Sequence, residues 1–272
     1  MDKLKKVLLY SFLIVVAMVT LFPFVWMLLT SLKTLPETMQ MPPKIFPEQL
    51  MFSNYITALN KAPFATYFFN SVFTALASTT LLLIVTITSG FAFAKYDFKG
   101  KNLIFTILLT TLMIPGEMLI ITNFDTIAKL GLYDTRVALF LPYLSSIFYI
   151  FLIRQFFMTV PHELYLSAKV DGSSDLQFLL KILIPISKPV IITVSMLNIV
   201  ASWNSYLWPL IITNSVEKRT LPIGLMQFTT DAGTEYNLLM AASTIIIIPI
   251  IILFIVSRKY IVAGLTKGSV KG

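Results

Sequence analysis

The sequence predicts an all-α membrane protein, with six transmembrane helices and a cytoplasmic helix-turn-helix between the fourth and the fifth. Three observations carry that prediction. Apolar residues fill 57% of the 272 positions and charged residues only 12%, a balance foreign to soluble globular domains. Six apolar runs, at roughly 7–32, 68–94, 102–124, 136–158, 189–213 and 239–258, each approach or exceed the ~20 residues that cross a hydrocarbon core. Between the fourth and fifth lies a polar stretch, about 159–188, that carries its own helix start and stop signals. The chain, 1–272, therefore reads as a single transmembrane domain.

The first run follows Lys3, Lys5 and Lys6, the charge pattern of a secretion signal. Its length, the lack of a small-residue cleavage site and the runs that follow predict an uncleaved helix instead. In 34–66, Pro36, Pro42, Pro43, Pro47 and Pro63 forbid any long helix, and Ser53 to Leu59 reads as a short capped one at the surface. Tyr96 to Lys101 makes a tight turn between the second and third runs. Pro115-Gly116 should kink or unwind the third run near its outer end. Glu117 beside them reads as an acid solvated at that break rather than as a functional intramembrane acid.

Within the polar stretch the local chemistry is explicit. Pro161 suits a first helical turn, and Glu163 puts negative charge near the positive end of the dipole. Gly172 can take the left-handed conformation that closes a helix. Ser174 then opens a second helix, with Gln177 three residues on to complete a capping box. Pro185 is expected to end that helix, and Pro189 to open the fifth run.

Basic residues set the orientation. With the N-terminus in the cytoplasm, inside segments hold 14 Lys and Arg and outside segments 7, while acids divide five inside and eight outside. The inverted arrangement would reverse the positive-inside bias, so both termini and the helix-turn-helix are placed in the cytoplasm. The net charge of +8 is dispersed at the ends of apolar runs, which suits a lipid bilayer and not nucleic acid.

Catalysis finds no support. The chain has no Cys, so disulfides, thiolate metal sites and Cys nucleophiles are excluded. Its one histidine, His162, sits beside Pro161 in the polar stretch and reads as a solvated residue, so no Ser-His-Asp set can form in the membrane. No catalytic residue, metal site or cofactor is expected, and without a G-x-x-x-x-G-K-[ST] loop the chain cannot bind ATP in the usual way.

A pore for a hydroxylated solute needs polar and aromatic groups deep in the membrane. The fifth run offers Asn198, Ser202 and Ser205 at i, i+4 and i+7, with Trp203, Asn204 and Tyr206 beside them. The fourth offers Tyr143, Ser145, Ser146 and Tyr149 after Pro142. Such residues either line a path or knit helices together, and the sequence leaves both readings open.

The polar stretch resembles the coupling loop of ABC-importer membrane subunits, whose pattern runs E-A-A, three residues, G, nine residues, I-x-L-P. Here Leu166-Ser167-Ala168, Gly172, Ile182, Ile184 and Pro185 occupy those positions, with Leu166 and Ser167 departing from the Glu and first Ala and Glu163 one turn earlier. Five further segments in order extend the resemblance: Gly90 to Lys101, Leu152 to Leu164, Trp203-Asn204 with Pro209-Leu210, Leu221 to Leu225, and Arg258 to Gly272. The chain is similar to the shorter of the two membrane subunits of maltose-type sugar importers. That resemblance implies a sugar permease of a bacterial or archaeal plasma membrane. It implies a second homologous permease subunit, a cytoplasmic ATP-binding-cassette ATPase dimer that binds the ATP, and an extracytoplasmic sugar-binding protein. It places the ATPase contact on Glu163, Ala168, Asp171, Gly172, Ile182 and Pro185. Two alternatives remain. A permease for glycerol-phosphate-type solutes would need cations in the cavity, and only Arg136 and Arg154 lie near a run. An ATPase-independent transporter would show mid-span charges, which are almost absent.

Overall fold

A computed structural model describes residues 3–231 and 233–266, with side chains given through Lys259. The tail cations Lys267 and Lys271 and the end of the Arg258 to Gly272 signature lie outside the described residues, as does Asp2. The protein is mostly helical. In chain order α1 (Lys3–Ser31), the short α2 (Leu35–Thr38) and α3 (Ser53–Asn60), and the long α4 (Phe64–Lys95) come first. Next are α5 (Lys101–Thr110), α6 (Ile120–Lys129), α7 (Ile147–Thr159), α8 (His162–Val170) and α9 (Asp175–Phe178). The chain closes with α10 (Ile184–Ile186), α11 (Lys188–Trp203), α12 (Leu207–Ile212), α13 (Leu221–Gly224) and α14 (Tyr236–Thr266). A two-stranded antiparallel ribbon, β1 (Thr229–Thr230) and β2 (Gly233–Thr234), precedes α14.

Among the described residues four helices are long and apolar enough to cross a membrane: Lys3–Ser31, Phe64–Lys95, Leu141–Thr159 and Tyr236–Lys259. Two bent pairs raise the number to six if each is one span. The third run is such a pair. Its halves, Lys101–Met113 and Gly116–Lys129, meet at 91° where Pro115 and Gly116 interrupt the helical ladder. Glu117 is exposed at that break.

The fifth run differs from the uninterrupted 189–213 helix expected of it. It ends as a helix at Trp203 and resumes as α12 at Leu207, so Asn204 to Tyr206 form a break. At its start, Pro185 does not end the preceding helix. A π-helical turn, Leu179–Leu183, widens the backbone ahead of Pro185, and the chain continues to Ser187 before turning by 81° into α11. A π turn tolerates the missing proline N–H because its hydrogen bonds already skip a residue.

The chain forms two compact units. One comprises Met1–Phe64 with Ile223–Pro249. In it Asn54 is buried and its amide donates to the carbonyls of Ser31 and Lys33, each at 2.8 Å, fastening α3 to the end of α1. The cap expected at Ser53 is absent, since Phe52 holds the N-cap position without a side-chain bond.

The other unit comprises Ala65–Pro222 with Ile250–Gly272. Its core joins Leu82 and Phe91 of α4, Ile153 and Phe157 of α7, Ala168 of α8, Phe178, Leu179 and Leu183, and Val190 and Val194 of α11. The polar stretch is therefore packed onto the helices and does not hang free of them. A smaller cluster holds Ile127, Ala138, Leu139, Trp208 and Ile212, and the Trp208 indole donates to the Ala138 carbonyl at 2.9 Å.

Candidate functional site

The helix pair is built by its own sequence. Pro161 stands at the N-cap, one residue before the first turn that it was expected to occupy, and Glu163 lies within that turn. Gly172 has φ +77°, its N–H bonds the Lys169 carbonyl at 3.0 Å, and the Ser173 N–H bonds that of Ala168 at 2.9 Å. Those two bonds are the Schellman closure. Ser174 and Gln177 then bond reciprocally, at 2.9 and 3.2 Å, to open α9.

The pair has two faces. Ala168 is buried and Ile182 half-buried against the core, so these two point inward. Glu163, Asp171, Gly172 and Pro185 are exposed. Around them Leu166, Leu176 and Leu180 are exposed as well, and Val170 is 88% exposed. A leucine-rich face left open on a polar element is the composition of a contact surface.

A polar knot missed in the sequence holds the pair in place. The Asp175 carboxylate pairs with Lys169 at 2.6 Å and accepts from the hydroxyls of Tyr165 at 2.6 Å and Tyr96 at 2.9 Å. The Lys169 ammonium and then the Tyr165 hydroxyl hold its pKa down to about 2. Burial and the neighbouring carboxylate push the Tyr165 phenol up to about 12, so it stays a donor. The Tyr165 ring packs edge-on against Phe178 at 5.1 Å and Phe91 at 6.4 Å. Since Tyr96 follows α4 directly, the knot ties α8 and α9 to the end of that helix. The sequence signal was a Lys and an Asp flanking a glycine turn.

A second feature is a cavity of about 220 Å³. Asn198, Ser202 and Ser205 line it, and so does Tyr143, so these four expected path residues come together. Ser205 reaches it from the break beyond α11, not from the continuous helical face expected. The other four do not line it. Ser146 is the N-cap of α7, and half-buried Tyr149 packs toward the main core. Trp203 is buried edge-on against Phe68 at 5.8 Å, and Asn204 caps the end of α11.

The remaining polar wall comes from residues the sequence reading passed over: Thr74 and Ser78 on α4, and Thr220. Leu139, Phe140, Ala201 and Pro209 complete the lining, and among the described residues no charged side chain is part of it. The Asn198 amide donates to Ser78 at 3.2 Å and Thr79 at 2.9 Å, which fixes α11 against α4. Ser71, Thr74 and Ser78 at i, i+3 and i+7 were the available signal, a polar stripe on an apolar helix.

Both candidate cations are engaged elsewhere. The Arg136 Nε donates to Asn70 at 2.8 Å, with the guanidinium 5.5 Å from the Phe69 ring. The Arg154 Nε donates to the Phe93 carbonyl at 3.2 Å, and its guanidinium lies 4.1 Å from the Phe105 ring.

Long apolar helices, a docked polar helix pair and an uncharged polar cavity together define a membrane transport subunit. The chain belongs to the family described as binding-protein-dependent transport system inner membrane component, whose profile matches residues 85–267. It is 36% identical to the arabinooligosaccharides transport system permease protein AraQ of Halalkalibacterium halodurans, over 94% of this chain and 93% of that one. It is 30% identical to the lactose transport system permease protein LacG of Rhizobium radiobacter, over 99% and 97%. Among solved structures it matches a bacterial ABC transporter involved in import of the acidic polysaccharide alginate. That match has a TM-score of 0.84 and 25% identity, and covers 96% of this chain and 97% of that one.

Proposed function

We infer that this chain is a six-span permease subunit of an ATP-driven importer, forming part of the path for a neutral sugar or oligosaccharide. The observation that carries the reading is the closed, cap-stabilised helix pair at 162–186, which presents exposed leucines and Val170 outward while its inner face is keyed to the core. An element so built transmits displacement: a partner pushing on the outer face moves α8 and α9 together, and the Asp175 knot passes that movement to α4. The partner is a cytoplasmic ATPase dimer, with a second permease completing the path and an extracytoplasmic binding protein delivering the sugar. Alternating access then follows from a population shift between two arrangements of the helices, driven by the ATPase binding one of them better. The chain itself carries out no chemical step.

The test is Gly172→Asp. A Cβ built on Gly172 meets nothing within 4 Å, and aspartate is among the residues that tolerate a left-handed backbone. The change therefore meets no clash and carries only the left-handed backbone cost of about 1–2 kcal/mol at φ +77°, whereas a negative charge enters the outward contact. In proteoliposomes holding the complete transporter, Gly172→Asp is expected to leave insertion intact and to abolish sugar-stimulated ATP hydrolysis and uptake. Wild-type transport by the variant would remove the loop from the mechanism.

A further inference from the structure

We propose that the cavity between α4, α11 and the 139–143 segment is a sugar-ring subsite within this chain, selective for an uncharged ring and recognised through Thr74 and Thr220. The inference rests on the transport reading above and makes it specific. Thr74 is 5% exposed and Thr220 4%, yet neither hydroxyl has a hydrogen-bond partner among the described residues. Both line the same cavity. Buried hydroxyls are almost always paired, so two unpaired ones on residues that line one space leave a demand that a ligand entering it can meet.

The rest of the wall agrees with a carbohydrate. Ser202 and Ser205 add hydroxyls, each able both to donate and to accept, which suits a ring whose hydroxyls do the same. Phe140 and Tyr143 supply an apolar wall for the ring's carbon-bound hydrogens. The Asn198 amide is already committed to Ser78 and Thr79, so it shapes the site more than it reads the ligand.

Size and charge narrow the class. At about 220 Å³ the space falls below the roughly 300–1,000 Å³ usual for drug-sized ligands, so it takes one ring of a chain at a time. No cation lines it, and Arg136 and Arg154 are held by Asn70 and the Phe93 carbonyl. A carboxylated ring would be buried there without a counter-charge, a cost that an uncharged ring avoids. The subsite therefore selects against uronic acids, unlike the substrate of the alginate importer whose fold the chain shares.

The chain has no cysteine, which allows occupancy to be read directly. The Ser205→Cys variant, in the assembled transporter, is labelled with a small maleimide in the presence of arabinotriose, lactose or an oligouronate. At least one neutral sugar should slow labelling, and the oligouronate should not. Adding Thr74→Val and Thr220→Val, which keep the volume and remove the hydroxyls, should raise the half-protecting concentration roughly tenfold or more. Thr74→Ser with Thr220→Ser should restore it. Unaltered protection in the double valine variant, or equal protection by the oligouronate, overturns the subsite. So does a Ser205→Cys complex that transports a neutral sugar while its labelling ignores that sugar, and there the transport reading survives. Failure of the wild type to move any neutral sugar overturns that reading and the subsite with it.

Discussion

At the scale of single residues, burial separates positions that the loop motif groups together. Ala168 lies against Phe178 and the rest of the core, so Ala168→Asp acts on the chain's own packing and not on a docking face. An unpaired carboxylate there is costly to bury, and the pair should loosen from α4. Limited proteolysis should cut near Gly172 faster in Ala168→Asp than in Gly172→Asp; equal rates would contradict the inward placement. Asp175 makes a second prediction. Its pKa is depressed to about 2, so the stability it contributes is present above its ordinary value of 3.8 and is lost as pH falls toward 2. The knot should hold without change from pH 5 to 8, and Asp175→Asn should lower the thermal midpoint of the complex equally throughout that range. A midpoint difference that changed across pH 5–8 would mean that another group carries the link. The turn at Gly172 and the box at Ser174 were legible because each depends on neighbours in sequence. The knot was not, because Tyr96 lies 79 residues from Asp175 and only the fold brings them together.

At the scale of elements, close packing sets the tolerance of the helices. A Cβ added to Gly90 would stand 2.8 Å from Ile153 Cγ2 and 3.3 Å from the Arg154 nitrogen, so α4 and α7 meet through the missing side chain. Gly90→Val should cost about 1–3 kcal/mol through overpacking. The check is the unfolding midpoint of the purified complex, and an unchanged midpoint would show that the two helices can part without penalty. The apolar runs located the four long apolar helices because length and hydropathy are properties of each segment alone. The breaks were read unevenly. Pro115-Gly116 announced the bend in the third run, whereas Asn204 to Tyr206 contain neither Gly nor Pro and interrupt the fifth without a local signal. Half of the expected path residues reach the cavity for the same reason. Helical spacing grouped Asn198 and Ser202, which line the cavity together, but could not say that α4 would supply the opposite wall.

At the scale of the whole molecule, the transport reading requires that the helix pair and the 213–222 segment face opposite sides of the membrane. The distribution of cations argues for it, since exposed Lys and Arg near span ends are retained on the cytoplasmic side. The turn after α4 and the helix pair share one side, because Tyr96 and Asp175 are bonded at 2.9 Å. Opposite them, Asn70 near the start of α4 donates to the carbonyls of Glu217 and Arg219 at 2.8 and 2.9 Å, which fixes the 213–222 segment at the other end of the same 32-residue helix. At about 1.5 Å per residue that helix is long enough to cross a bilayer, and as a span it puts its two ends on opposite faces. Asp97 and Glu217 are both exposed and lie at these opposite ends, and in this cysteine-free chain each can be replaced singly, as Asp97→Cys and Glu217→Cys. A membrane-impermeant maleimide added outside intact cells should label the Glu217→Cys variant and leave the Asp97→Cys variant unmodified until the membrane is opened. Labelling of the Asp97→Cys variant alone would invert the orientation and put the helix pair beyond the reach of any cytoplasmic ATPase. Labelling of both would mean that α4 does not span, and the importer mechanism would lose the rigid element that joins its two ends.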